Sequence, residues 1–507
     1  MEISPTSRRI MRNTAMLYFR MAVLMIIGLF TSRVVLRELG VDDFGIYNAV
    51  GGVVAMFSVL STSLSASISR FITFYLGADD RYKPRTVFST SVSILLIISA
   101  IILVLSEILG VWFLNVKMVI PPDRMDAARW VLQFSIVTFI IQLISVPYNA
   151  SIIAHERMSA FAWIGIFEAV SKLGIAYALS IATHDKLILY AILYAAVAMA
   201  VRIMYGTYCR RHFEECHYTR ILDKPLFREM FSFAGWSIIG SASGILRDHG
   251  GNLLLNLFFC PAVNAARGLA VQVNGAVMRF ITGFITAINP QITKSYASGD
   301  NKYMMLLVFR GSRIATLLTM LVSFPVIFNT GYFLRLWLVE VPPYTEIFVQ
   351  LVLILTLIEA FSHTLSTAVN ATGNIKWYQL IIGGIQLLNL PIDYILLRMG
   401  NSPVCVYTVA IALAIACLAA RIIILNRQIG LNIIQYLTDV ILRVTLIGIV
   451  SAILPYRMHM TMPETLPYVL AICAVSLICS SACIYIAGLT SGERTYLREK
   501  IGFLFKQ

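Results

Sequence analysis

Arginines inside long apolar segments are the residues of this sequence whose chemistry stands out. Arg20 lies in MLYFRMAVLMIIGLFTSRVV, residues 16–35, and Arg70, Arg247 and Arg279 lie in three further apolar segments. A charged side chain at bilayer depth costs at least ~2.5 kcal/mol, so each arginine needs a partner or a water-filled cavity. The pattern predicts a cationic, hydrated cavity, with Arg20 and Arg279 as its deepest charges.

Three of these arginines have an alternative explanation. The long side chains of Arg20 and Arg70 could extend to the lipid headgroups from within their helices. Arg247 lies beside Asp248 in ILRDHGGN and could pair with it at the outer surface. Arg279 has no comparable alternative.

Other polar residues share helical faces with these arginines. At 100° per residue, Asn13, Arg20 and Thr31 fall within about 20° of one another. Gln272 and Thr286 flank Arg279 in the same way. The polar residues predicted to line the cavity are Asn13, Thr31, Arg267, Gln272, Asn274 and Thr286.

Two titratable pairs lie four residues apart, which places both members on one helical face. Glu168 and Lys172 are predicted to pair with each other. Glu359 and His363 could also pair structurally, or could relay protons, because histidine titrates near neutral pH. The residues predicted for ion coupling are Glu359, His363 and Asp393.

The elements that carry these residues are membrane-spanning helices. The chain is 58% hydrophobic and only 13% charged, whereas soluble domains are about 25% charged. Apolar runs of about 20 residues recur along it, and each is long enough to cross a bilayer. An open strand cannot satisfy its backbone in lipid, so even the alternating serines of residues 58–70 must be helical. The sequence predicts an all-α polytopic membrane protein with about 14 transmembrane helices.

Basic residues predict the orientation, because short loops rich in Lys and Arg stay cytoplasmic. The even-numbered loops and the stretch after the last span hold most of them: Arg81, Lys83, Arg85, Arg210, Arg211, Arg220, Lys224, Lys294, Lys302, Arg427, Arg494, Arg498, Lys500 and Lys506. Both termini are therefore predicted to be cytoplasmic. This topology and anionic lipid explain the net charge of +14, and no nucleic-acid partner is expected.

An internal repeat relates the two halves of the chain. YLGADDRYKPRTVFSTS, residues 75–91, aligns with YASGDNKYMMLLVFRGS, residues 296–312, at an offset of 221 (296 less 75). The same offset aligns Asn149 with Asn370, and near the sixth spans Arg202 resembles Arg421 after a drift of two residues. Six spans per repeat is an even number, so the two copies have the same orientation.

The repeat predicts two parallel six-helix lobes followed by two C-terminal helices. The predicted divisions are residues 1–215 for the first lobe, 216–430 for the second lobe and 431–507 for the last two helices with a cytoplasmic tail. Duplicated lobes are typical of transporters that rock around a midplane site. Phosphate-binding glycine loops, nucleophile elbows and large loops with paired carboxylates are absent from the sequence. We therefore expect no enzyme activity, no cofactor and no resident metal.

Two segments carry a family resemblance. NTAMLYFRMAVLMIIGLFTSRVVLRELGVDDFGIYNAVGG, residues 13–52, and residues 258–300, with FFCPAVNAARGLAVQVNGAV and AINPQITKSYASGD, resemble bacterial polysaccharide transporters. These proteins are the O-antigen and oligosaccharide-lipid flippases of the multidrug/oligosaccharidyl-lipid/polysaccharide exporter superfamily. The resemblance implies alternating-access translocation of an undecaprenyl-pyrophosphate-linked oligosaccharide across the bacterial inner membrane, for O-antigen, capsule or exopolysaccharide assembly.

The resemblance also implies roles for particular residues. Arg20, Arg70, Arg247 and Arg279 would bind the pyrophosphate, which guanidinium groups grip through paired oxygens. A proton or sodium gradient would supply energy. Membrane lipid, the lipid-linked oligosaccharide, a polysaccharide polymerase and assembly proteins are the expected partners.

Two other functions are compatible with a polytopic chain of this composition. A cation-coupled multidrug exporter of the same superfamily would favour acidic residues in its cavity, whereas the deep charges here are mostly arginine. A membrane glycan polymerase or ligase would place catalytic residues in a large periplasmic loop, and the sequence contains no such loop.

Overall fold

The structure is a computed structural model of the chain. It describes residues 5–55, 58–78, 83–116, 120–182, 185–219, 223–259, 261–338, 341–490 and 492–495. Within these ranges the regular structure is entirely helical, as lipid burial of the backbone requires. The chain divides into two units: Asn13–Ile238, called the first unit, and Ile239–Gln507 with Met1–Arg12, called the second unit.

The first unit contains nearly all of the first six helices and the beginning of the seventh. Gly40 has a φ of 78° inside α1, a left-handed backbone conformation that suits glycine, and it divides this 51-residue helix. Asp185 caps α6 by accepting a hydrogen bond from the Leu187 amide. The helices are α1 (Pro5–Ala55), α2 (Ser58–Gly77), α3 (Lys83–Val116), α4 (Met125–Ala154), α5 (Met158–Ala178), α6 (Lys186–His212) and α7 (Lys224–Phe258).

The second unit contains the remaining helices and the end of α7. The helices that follow α7 are α8 (Pro261–Ala297), α9 (Asn301–Phe328), α10 (Thr330–Trp337), α11 (Thr345–Ala360), α12 (His363–Thr372), α13 (Lys376–Leu387), α14 (Asn389–Arg398), α15 (Cys405–Ile429), α16 (Ile433–Tyr436), α17 (Arg443–Thr461) and α18 (Leu466–Cys483). A π-helical segment, Leu437–Leu442, joins α16 to α17.

Ten helices of the described ranges are long and apolar enough to span a membrane. The number is eleven when α11 and α12, which meet at a 40° bend, are taken as one broken span. The protein is therefore a multi-pass membrane protein.

The helix bounds follow the internal repeat. The starts of α4 and α11 differ by 220 residues (345 less 125), and those of α6 and α15 differ by 219 (405 less 186). The Gly40 kink in α1 lies 221 residues before the start of α8 (261 less 40). These starts recur at about the offset of the sequence alignment, whereas the breaks that separate α9 from α10, α11 from α12 and α13 from α14 have no counterpart in α3, α4 and α5.

Polar contacts fix the ends of the first-unit helices. Arg124 donates to Asp43 and, at 2.7 Å, to Asp185, so one guanidinium joins segments distant in sequence. His155, which follows α4, hydrogen bonds to Glu215, which follows α6. These contacts hold connecting segments together outside the apolar core.

Buried polar contacts attach the last helices, α16–α18, to the rest of the second unit. The Tyr436 hydroxyl lies 2.6 Å from the Ser312 hydroxyl of α9 and donates to the Phe361 carbonyl at 2.9 Å. Arg313, also on α9, contacts Glu493 at 3.2 Å. A buried hydrogen bond is hard to exchange for water, so these contacts fix the position of α16–α18.

Candidate functional site

Arg20 of the first unit is held against α5. Its guanidinium carbon lies 4.4 Å from the centre of the Phe161 ring, within the range of a cation–π contact. Its Nε atom is buried and makes no hydrogen bond. A β-carbon placed on Gly165 would lie 2.5 Å from that Nε atom. The guanidinium therefore occupies space that only a glycine at position 165 leaves open.

The carboxylate that acts electrostatically on Arg20 is hydrogen bonded to a different residue. Glu168 acts electrostatically on Arg20, but its Oε1 atom accepts a hydrogen bond from Lys172 Nζ at 2.7 Å. Lys172 also lies 4.4 Å from the centre of the Tyr194 ring. The Glu168–Lys172 pair predicted from the spacing is confirmed. Among the described residues, no carboxylate forms an ion pair with Arg20.

The polar residues predicted beside Arg20 bond to the protein itself. Asn13 is buried and donates to the Glu156 carbonyl at 3.1 Å. The Thr31 hydroxyl donates to the Ile27 carbonyl at 2.8 Å. Neither contact involves Arg20.

Arg70 is buried in an aromatic cluster rather than extended to a surface. Its guanidinium carbon lies 4.5 Å from the Phe71 ring centre and 5.4 Å from the Phe233 ring centre. Its Nη1 atom is 3.8 Å from the Oε1 atom of the more exposed Glu229. Arg70 thus already has a carboxylate within ion-pair distance.

Arg247 of the second unit forms an ion pair that crosses from α7 to α11. Its Nη1 atom donates to Glu359 Oε1 at 2.9 Å. Asp248, the pairing alternative considered from the sequence, has a side chain outside the described part of the structure. Two residues assigned to different roles, anion binding for Arg247 and ion coupling for Glu359, therefore contact each other.

The Arg247–Glu359 pair faces a cavity of about 200 Å³ in the second unit. His363 also lines the cavity, and its buried Nε2 atom has no hydrogen-bond partner. Glu359 and His363 are separated by the bend between α11 and α12, and among the described residues Glu359 bonds to Arg247 rather than to His363. We call this space the second-unit cavity.

Arg421 is a further cation of the second-unit cavity, and the functional predictions did not include it. It donates from Nε to the Tyr378 hydroxyl and from Nη1 to the Ser362 hydroxyl, both at 3.1 Å. The alignment of Arg421 with Arg202 in the repeat is the signal that marks it in the sequence. The cavity thus holds two arginines, one histidine and one glutamate.

Arg279 differs from Arg247 because it is exposed along α8. Gln272 is exposed on the same helix, and Thr286 donates to the Thr282 carbonyl at 2.7 Å. Asn274 accepts a hydrogen bond from Thr356 at 2.5 Å. No carboxylate pairs with Arg279 within the described ranges.

Arg267 and Asp393 lie inside the second unit. Arg267 is 6% exposed and stacks 5.6 Å from the centre of the Tyr407 ring. Asp393 is completely buried and interacts electrostatically with Arg267. Neither oxygen of its carboxylate has a hydrogen-bond partner. Asn389, one turn earlier on α14, is also buried. Gly251 makes room for Arg267, because a β-carbon there would lie 2.3 Å from Nη1.

These contacts define two kinds of cationic site. A guanidinium without a carboxylate partner can hold an anionic group through charge-assisted hydrogen bonds. A guanidinium paired with a carboxylate can do so only when the carboxylate is neutralised or displaced. Arg20 and Arg279 belong to the first kind, and Arg247 belongs to the second.

Two models of known protein families match this chain. A family described as polysaccharide biosynthesis protein matches residues 10–296, more than half of the chain. The chain belongs to this family. A second model, described as MatE, matches residues 260–395. No curated protein sequence matches the chain.

Solved structures share the fold of this family member. A multidrug resistance MATE family transporter of the MOP superfamily, in an outward-facing conformation, matches with a TM-score of 0.74 and 11% identity. The match covers 84% of this chain and 96% of that chain. A MOP superfamily transporter from Pyrococcus furiosus, described as having a binding pocket of reversed polarity that suggests a different function, matches with a TM-score of 0.72 and 12% identity. It has the same coverage, 84% and 96%.

A third structure, the MATE transporter ClbM in complex with Rb⁺, matches with a TM-score of 0.68 and 12% identity, over 86% of this chain and 97% of that chain. Identities this low indicate a common fold and nothing about the substrate. The chain is therefore a member of the polysaccharide biosynthesis family that shares its fold with these transporters.

Proposed function

We propose that this protein is a flippase that moves an undecaprenyl-pyrophosphate-linked oligosaccharide from the cytoplasmic to the periplasmic leaflet of the bacterial inner membrane. The observation that carries the proposal is Arg20, a half-buried guanidinium without a carboxylate partner among the described residues, in a member of a polysaccharide biosynthesis family. A fixed cation of this kind suits a diphosphate and repels the organic cations of many drug exporters. The glycan would serve O-antigen, capsule or exopolysaccharide assembly.

The proposed topology has fourteen spans with both termini in the cytoplasm. Three further helical stretches would bring the eleven spans counted above to fourteen. They are α1 up to Gly40, the end of α1 with α2, and α7. The repeated helix bounds support two parallel six-helix lobes, since six spans return the chain to the same side. The even-numbered loops then face the cytoplasm, where their basic residues meet anionic lipid.

The proposed mechanism is alternating access. A diphosphate with a chain of sugars cannot cross hydrocarbon because its charges and hydroxyl groups would lose their hydration. Arg20 would bind the diphosphate in a hydrated path, and Arg279 is proposed as a second anion-binding residue, while the polyprenyl chain stays in lipid. Rocking of the lobes would then expose the bound headgroup to the periplasm.

Arg247 and Glu359 give this mechanism a site for ion coupling. Protonation of the Glu359 carboxylate, or Na⁺ binding to it, would remove the counter-charge of Arg247 and free the guanidinium for the diphosphate. Because the cation and the substrate favour each other's binding, they would leave together on the periplasmic side, so this pair makes release depend on pH or Na⁺, and an inward ion gradient does not drive that step. His363 and Arg421 line the same cavity and would set its charge. Cation binding and substrate binding are therefore linked through one ion pair.

Substrate identity is tested most directly in cells. Deletion of the gene is expected to leave a lipid-linked oligosaccharide accessible on the cytoplasmic side, and mass spectrometry of the extracted lipid would identify the glycan. Lipid-linked oligosaccharide that accumulates on the periplasmic side instead would point to a polymerase or assembly defect. The proposal also includes the polymerase and assembly proteins as functional partners that receive the flipped product.

A cation-coupled multidrug exporter is the second candidate. The MatE match over residues 260–395 and the buried carboxylate of Asp393 favour it. Proteoliposomes that contain the purified protein would decide between the two. Extrusion of cationic dyes with no movement of lipid-linked oligosaccharide would overturn the flippase proposal.

A further inference from the structure

A groove between α4 and α6 of the first unit combines two arginines with an apolar wall. Its volume is about 410 Å³, and α4 and α6 form its sides. The residues that line it are Ile141, Ile144, Met199, Arg202, Ile203, Gly206, Thr207 and Arg210. We propose that this groove binds one anionic phospholipid of the surrounding bilayer. The proposal does not depend on which substrate the transporter moves.

The two arginines converge on one face of α6. Arg202, Gly206 and Arg210 are spaced four residues apart, so they follow one another along the helix surface. The α-carbons of Arg202 and Arg210 are separated by about 12 Å along the axis, a gap that two long side chains can close around a phosphate. The last turn of α6 is basic as well, since it contains Arg210, Arg211 and His212.

Gly206 keeps the space between the arginines open. A β-carbon at this position would lie 2.8 Å from Arg202 Nη1, closer than side-chain atoms approach without displacement. The Arg202 guanidinium also contacts Tyr148, whose ring centre is 3.9 Å from the guanidinium carbon. The glycine and the tyrosine together hold the cation at the edge of the groove.

In the part of the chain that the structure describes, no carboxylate forms an ion pair with Arg202 or Arg210. Two cations on one face of a helix attract an anion, and their fork-shaped donors fit phosphate oxygens. A free anion would leave the rest of the groove unoccupied.

The rest of the groove suits an acyl chain. Met199 and Ile203 are 46% and 59% exposed, and both precede the basic last turn of α6, towards the middle of the helix. Ile141 and Ile144 of α4 form the opposite wall. A ligand that fits both parts has an anionic head near Arg210 and a long apolar chain towards Met199. A phospholipid of the leaflet that contacts the end of α6 has this shape and orientation.

The test uses purified full-length protein in nanodiscs of phosphatidylcholine alone or mixed with phosphatidylglycerol. Native mass spectrometry counts the retained lipids, and thermal unfolding measures the stabilisation. The wild-type protein should retain one phosphatidylglycerol. Arg202→Gln with Arg210→Gln should lower its retention at least about tenfold, because the charge-assisted hydrogen bonds to the phosphate are lost.

Two further variants keep the test decisive. Arg211→Gln removes an equal charge from the same helical turn but outside the groove, and it should retain the lipid as the wild type does. Gly206→Ala keeps both arginines and should still lower retention, because it displaces the Arg202 guanidinium. Equal loss in Arg211→Gln would show a general attraction to charge and overturn the site. Equal stabilisation by inorganic phosphate in phosphatidylcholine nanodiscs would overturn the assignment of a phospholipid.

Discussion

Arg20 and Arg247 are guanidiniums of long apolar helices in different units, and they differ in what faces them. Arg20 stacks on Phe161, and the carboxylate of Glu168 is held by Lys172. Arg247 instead contacts Glu359 at 2.9 Å. Lys172 therefore leaves the Arg20 site positively charged, whereas the net charge of the Arg247 site depends on the charge of Glu359. The same residue type can serve as a permanent or a conditional anion site.

The repeat makes the contrast sharper. At the 221-residue offset, Glu168 and Lys172 correspond to Asn389 and Asp393. The first unit thus has an ion pair where the second unit has a buried amide and a buried carboxylate. These residue differences give the two units different electrostatics.

The largest effect is expected for Arg20→Ala. Loss of a permanent cation removes one or more charge-assisted hydrogen bonds to phosphate, so transport should fall by about ten- to a hundredfold. Transport of the extracted lipid-linked oligosaccharide into proteoliposomes would measure the effect. Arg129→Ala, which removes an exposed arginine that pairs with Asp126 on α4, is the matched control. Full surface glycan in cells with normal levels of the Arg20→Ala variant would contradict the role of the first site.

Glu359→Gln should have the next largest effect, because it converts the conditional site into a permanent one. We expect apparent substrate affinity to rise by up to about tenfold, the consequence of losing one competing charge-assisted contact. The dependence of transport on pH or Na⁺ should be lost together with efficient release.

Glu168→Gln is the control for that experiment, since it also removes a carboxylate that pairs with a basic residue, here Lys172. It should leave the dependence on pH and Na⁺ intact, because Arg20 does not rely on Glu168 as a partner. If both glutamine variants lose the dependence equally, the distinction between the two sites is wrong.

Gly165→Ala tests the geometry of the first site without changing its charge. A β-carbon 2.5 Å from Arg20 Nε would displace the guanidinium, so transport should fall by about three- to tenfold through KM. Gly174→Ala on the same helix is the matched control, because nothing lies within 4 Å of its added β-carbon. An Arg20→Lys background should abolish most of the Gly165→Ala effect. Full additivity of the two changes would refute a positioning role for Gly165.

The smallest effect concerns pH and stability outside the membrane, and it must be separated from the pH dependence of Glu359. Burial raises the pKa of Glu215, but the hydrogen bond and charge of His155 outweigh burial and leave this pKa below its ordinary value. The stabilisation is therefore present above the unfolded carboxyl pKa of about 4.3 and is lost as pH falls through the lower folded value.

Thermal unfolding of wild type and Glu215→Gln across an acidic pH series would measure this contribution. The difference in stability between the two proteins should be present above the ordinary carboxyl pKa and disappear in acid. A difference that changes strongly around neutral pH would show that the His155–Glu215 pair responds to pH there and would complicate any assignment of pH-dependent transport to Glu359.

Local sequence spacing determined much of this protein. Apolar runs fixed the spanning helices, the 221-residue offset fixed the repeated helix bounds, and the four-residue spacing of Glu168 and Lys172 fixed their pair. These features depend on neighbouring residues in one helix or on regularities along the chain. They can be recognised without knowledge of how distant helices pack.

Only the tertiary structure decided which charges meet. Arg247 and Glu359 are 112 residues apart, and the sequence offered Asp248 and His363 as nearer partners. The cavity partners of Arg421, and the space that Gly165 leaves for Arg20, likewise come from contacts between different helices. Helical periodicity states which face a side chain occupies, but packing decides what lies opposite that face. That packing made Arg20 a permanent cationic site and Arg247 a conditional one.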